Sequence, residues 1–101
     1  MKKLILITVL AVMCMALLPP ALPSSFYGHT NLKIGQKIDV YVDGSKVAYT
    51  RTFDYNGISV YTINIPGELS GKTAFFKVRN AILASHILVS GTNVRVDLER
   101  R

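Results

Sequence analysis

The sequence predicts an all-β protein: a small antiparallel sandwich of about seven strands over residues 25–101, preceded by an N-terminal hydrophobic signal helix over 1–24. Three observations carry this expectation. Beyond Pro23 the apolar residues alternate and show no helical period. Turn residues punctuate that region every 8–12 positions or so, the spacing of sandwiches and barrels. The opening stretch differs in kind, with Met1-Lys2-Lys3 followed by the apolar run "LILITVLAVMCMALL" at 4–18.

That run ends at Pro19-Pro20, where the missing N–H donor and the ring stop a helix. It is shorter than the roughly 20 apolar residues needed to span a bilayer. A secretory signal peptide is therefore expected, with an uncleaved anchor as the alternative. Membrane contact would come only through this segment, and the expected location is secreted or in the cell envelope. Cys14, the only cysteine, falls within the run, and Met13 before it does not suit a lipoprotein signal. The mature domain would then have neither disulfide nor thiol nucleophile, which fits a bacterial or archaeal envelope better than a disulfide-dense secreted scaffold.

The strands follow in order. Phe26–Asn31 is the first, and its stretch "FYGHTN" lacks formal charge. Lys37–Val42 and Lys46–Phe53 form a hairpin about Asp43-Gly44, residue types that accept the positive φ of a two-residue loop. Unbroken alternation through the hairpin assigns Ile38, Val40, Val42, Val47 and Tyr49 to the core. It leaves Asp39, Tyr41, Lys46, Ala48 and Thr50 outside. Ser59–Ile65 buries Tyr61, Ile63 and Ile65. Thr73–Arg79 buries Ala74, Phe76 and Val78 and turns Phe75 and Lys77 outward. Ile82–Val89, within "AILASHILV", is apolar on both faces, so it is expected to be either a covered central strand or one that pairs with a partner. Asn93–Glu99 closes the domain with Val94, Val96 and Leu98 inward.

The order Gly35, Val40, "YVDG" at 41–44, Thr50, Thr52, Gly57, Tyr61, "IPG" at 65–67, Gly71, "FKV" at 76–78, Gly91 and "VDL" at 96–98 resembles a known module. It is similar to the transthyretin-like, or carboxypeptidase-regulatory-like, repeats of archaeal and bacterial surface proteins. The resemblance covers nearly all of the mature chain and implies an Ig-like or transthyretin-like sandwich. Its marks are glycines, turn residues and core apolars, so it speaks to fold. Four positions separate Gly57 from Tyr61 where the family has about two, which implies a bulge or a longer loop at Gly57.

Chemistry-bearing residues are few. His86 lies in an apolar strand with no orienting group nearby in sequence, and His29 stands alone. No HxH, HExxH or CxxC spacing occurs, so no metal is expected. Asp54-Tyr55-Asn56-Gly57 lacks the downstream bidentate acid of a calcium loop and reads as a turn. Single, scattered glycines offer no phosphate cradle. No cofactor and no enzymatic activity are expected.

Beyond the signal segment ten basic residues face six acidic ones. This mild excess suits an anionic glycan, while an exported chain without a reading motif is not expected to bind nucleic acid. Tyr41, Lys46, Phe75 and Lys77 fall on outward faces and form the candidate contact surface. The expected role is a non-catalytic envelope module for adhesion, scaffolding or weak binding of a glycan or an envelope protein. The alternatives are a secreted inhibitor presenting the loop Ile65–Lys72 and a small transthyretin-like enzyme. Self-association is a further expectation, by donation of the N-terminal strand "FYGHTN" to a neighbour's sheet, the alternative being that this strand closes its own domain. The stretch "AILASHILV" is likewise uncharged, and one of the two is expected as an unguarded edge.

Overall fold

The computed structural model describes residues 21–100; most of the expected signal segment lies outside them. Eight strands form: β1 (Ser24–His29), β2 (Lys37–Val42), β3 (Ser45–Arg51), β4 (Phe53–Tyr55), β5 (Ile58–Ile65), β6 (Thr73–Val78), β7 (Ala81–Ile87) and β8 (Asn93–Arg95). They build two four-stranded sheets, ordered β4-β5-β1-β8 and β3-β2-β6-β7. Among the described residues no helix is long and apolar enough to cross a membrane.

The sheets pack face to face. Phe26 of β1 meets Phe76 of β6 edge-on at 5.3 Å between ring centroids, and Tyr61 of β5 lies 6.3 Å from Phe76. Ile38, Val40, Ile65, Val78, Leu88 and Leu98 complete a fully buried interior. Each such side chain contributes about 1.5–3 kcal/mol on burial. The expected inward residues of β2, β5 and β6 are all in this core.

Departures from the expectation have local causes. The strand expected over Lys46–Phe53 divides at Thr52, giving eight strands instead of seven. Thr52 is buried, and its hydroxyl donates to the Lys33 carbonyl at 2.7 Å and accepts from the Gln36 N–H at 3.0 Å. Its backbone also exchanges bonds with Gly35 and Gln36, so the chain turns there and passes to the other sheet as β4.

The β2–β3 hairpin has the expected two-residue loop, with φ of 52° at Asp43 and 79° at Gly44. Tyr41 pairs with Lys46, but Val40 pairs with Ala48, so Val47 is an extra residue. This bulge reverses the faces beyond it. Tyr49, expected in the core, is 63% exposed, whereas Ala48, expected outside, packs against the core and Thr50 is half-buried.

No bulge accompanies Gly57. Asn56 and Gly57 form a second positive-φ turn between β4 and β5, and Asp54 Oδ1 accepts the Gly57 N–H at 2.9 Å.

Strand order decides between alternatives that the sequence left open. β1 lies between β5 and β8, so "FYGHTN" is not an open edge. β7 is the edge of its sheet, not a covered central strand. Among the described residues the β1–β8 pair is the one parallel strand pair, in a sandwich expected to be antiparallel throughout. β8 arrives from the opposite sheet, so no hairpin dictates its direction.

Candidate functional site: a lysine and aromatic sheet face

The outer face of β3-β2-β6-β7 is assembled from cross-strand rows. In one, Lys46 pairs with Tyr41, Tyr41 with Phe75, and Phe75 with Ser85. In the next, Tyr49 pairs with Asp39, Asp39 with Lys77, and Lys77 with Ile82. All four expected contact residues therefore lie together, three in one row and Lys77 in its neighbour. The bulge at Val47 adds Tyr49, which the alternation had hidden.

Cations and rings interleave on this face. Lys77 Nζ sits 4.4 Å from the Tyr41 ring centroid, and Lys37 Nζ sits 4.8 Å from that of Tyr49. Both distances suit a cation–π contact. Asp39 is the one carboxylate among them, 3.6 Å from Lys46 Nζ and 3.7 Å from Lys37 Nζ. Lys37, Lys46, Arg51 and Lys77 thus outnumber a single anion, and Arg51 is partly occupied by the Gly35 carbonyl at 3.1 Å. Phe75 is 37% exposed and supplies an apolar surface beside the charges. Chemically, the face offers rings for stacking and ammonium groups for anions, across strands and not inside a cleft.

The opposite outer face carries a feature the sequence reading missed. A hollow of about 220 Å³ is lined by Tyr27, His29, Tyr55, Val60, Thr62 and Arg95. These come from β1, β4, β5 and β8, of which only β4 and β5 are neighbours in sequence, so no local pattern announces it. Arg95 is held by its own neighbour: Nε donates to Asp97 Oδ1 at 3.1 Å, and Nη2 lies 3.3 Å from His29 Nδ1. The His29 N–H, donating to Asp97 at 2.9 Å, and the Arg95 guanidinium keep the Asp97 carboxyl below its usual range. Asp97 in turn holds the Arg95 guanidinium more firmly protonated.

His86 is half-buried with its ring edge-on to Phe26 at 5.3 Å, and its Nδ1 lies 2.8 Å from the Ile87 carbonyl. Among the described residues no three His, Cys, Asp or Glu side chains converge as a metal-binding set. The loop Ile65–Lys72 does not project. Gly67 is buried, Leu69 packs on the core, and Gly71 and Lys72 bond to the Leu88 backbone at 2.7 and 2.8 Å.

No family model matches the chain, and no curated protein or solved structure matches it.

Proposed function

We propose that the chain is a non-catalytic, exported cell-envelope module that binds an anionic glycan polymer across the Tyr41–Lys77 face. The carrying observation is the alternation of rings and ammonium groups on one open sheet surface, with four cations against one carboxylate. Sugar rings stack on aromatic faces and acidic sugars answer the lysines, while an open sheet accepts an extended chain. The basic start and apolar run of residues 1–18 support export. The resemblance to transthyretin-like surface modules supports a place in the envelope. Neither histidine is poised beside a nucleophile, which favours binding over catalysis.

A panel of immobilised polysaccharides tests this reading. The exported protein should be retained by polygalacturonate and released by salt, and it should pass through neutral amylose. Equal behaviour on charged and neutral polymers, or no retention on either, contradicts it.

A further inference from the structure

We propose that two copies of this protein join edge to edge through β7, in antiparallel register centred on Ser85. The four sheet edges are not alike. β3 carries Lys46 and Arg51, β4 carries Asp54, and the three-residue β8 carries Arg95. β7 spans seven residues without a formal charge. Edges are normally blunted by charge, brevity, proline or a bulge, and of these β7 carries only the bulge at Leu83. Its first residues, Ala81–Leu83, face the C-terminal Asp97, Glu99 and Arg100 across an open cavity of about 650 Å³.

The strand can pair with a second copy of itself. Pairing with β6 sets Ala84 against Phe76 and Ile82 against Lys77, so Leu83 is an extra, bulged residue. With that bulge skipped, the outward residues are Ile82, Ser85 and Ile87, and Ala84 and His86 face inward. An antiparallel copy centred on Ser85 then places Ser85 against the partner's Ser85, Ala84 against the partner's His86, and Ile82 against the partner's Ile87. Every pair shares a face, as a sheet requires. Ile82 and Ile87, each 58% exposed, cover one another across the joint. A two-fold contact in this register sets apolar residues against apolar ones and brings no two formal charges together. The remainder of each domain is net cationic, so the uncharged edge is also where two copies approach with least repulsion. The joint would make one eight-stranded sheet with both lysine and aromatic faces on the same side. The inference does not depend on what those faces bind.

The test uses protein purified after export from cells expressing the full chain. Sedimentation equilibrium should give a monomer–dimer equilibrium with a dissociation constant between about 1 μM and 1 mM, as suits a small interface. Ser85→Lys sets like charges together on the two-fold axis and should weaken association at least tenfold, with the circular dichroism spectrum unchanged. Ser45→Lys on the β3 edge should leave it intact. In a Cys14→Ser background, Ser85→Cys should cross-link two chains on oxidation, since directly opposed residues lie within disulfide reach. Ser45→Cys should not. A wild-type protein that shows no dimer at about 1 mM, the weakest dissociation constant expected here, overturns the proposal. So does a Ser85→Lys variant that still dimerises, or a Ser85→Cys variant that fails to cross-link.

Discussion

The Tyr61 hydroxyl donates to the Val96 carbonyl at 2.5 Å, reaching from β5 past Gly28 of the intervening β1. Gly28 pairs with Tyr61 and faces inward, and the absence of a side chain there lets the ring and the Val96 carbonyl meet. A Cβ at Gly28 would collide with that carbonyl and come within 2.8 Å of Asp97 Oδ1. One glycine thus sets how closely the C-terminal segment docks on the first strand.

Gly28→Ala is expected to destabilise the domain by about 1–3 kcal/mol, the range for forcing atoms into a filled site. The colliding group is backbone, which cannot rotate away. Urea unfolding of the two proteins measures the difference, and an unchanged midpoint would show that the strand docks less tightly than described.

Tyr61 also gives stability a pH dependence. Burial first, and the Asp97 charge second, hold the phenol well above its ordinary value. A raised folded value means this contribution is fully present below the unfolded tyrosine value of about 10 and is lost as pH climbs beyond it. Thermal unfolding between pH 8 and 11.5 or so should show a fall beginning near pH 10. Tyr61→Phe should be less stable at neutral pH by about 0.5–1.5 kcal/mol, the net worth of one hydrogen bond. Its stability should decline less steeply above pH 10 or so. Parallel curves for the two proteins would count against this role.

Thr52 is the residue at which the chain changes sheets. Thr52→Val keeps the shape and removes the hydroxyl that bridges Lys33 and Gln36. The Gln36 N–H still donates to the Lys33 carbonyl at 3.2 Å, so the change is expected to cost the net worth of the lost hydroxyl bonds, about 0.5–1.5 kcal/mol each. Hydrogen exchange should accelerate at Gly35 and Gln36, and equal protection in both proteins would place the corner's strength elsewhere.

These features were unequally legible in the sequence. Tyr41, Lys46, Phe75 and Lys77 could be placed on one face because each sits in a stretch where alternation holds unbroken. Tyr49 could not, because the bulge at Val47 leaves no mark: Val47 is as good a strand residue as its neighbours, and one extra residue exchanges the faces. The interior position of β1 and the exposed edge of β7 depend on strand order, which is settled by packing between residues far apart in the chain. The Tyr27, Tyr55 and Arg95 hollow depends on the same order. The positive-φ turns, by contrast, are written in Asp43-Gly44 and Asn56-Gly57 themselves.

Which face binds is the central question, and amide chemical-shift mapping during titration with polygalacturonate oligomers answers it most directly. Shifts should concentrate on β2, β6 and the Tyr49 region of β3, and Lys77→Gln should weaken the titration about tenfold, or roughly 1.4 kcal/mol, within the range of a partly desolvated cation–π and charge contact. Shifts confined to Tyr27, Tyr55 and Arg95 on the opposite sheet, with Lys77→Gln indistinguishable from the parent, would contradict the account.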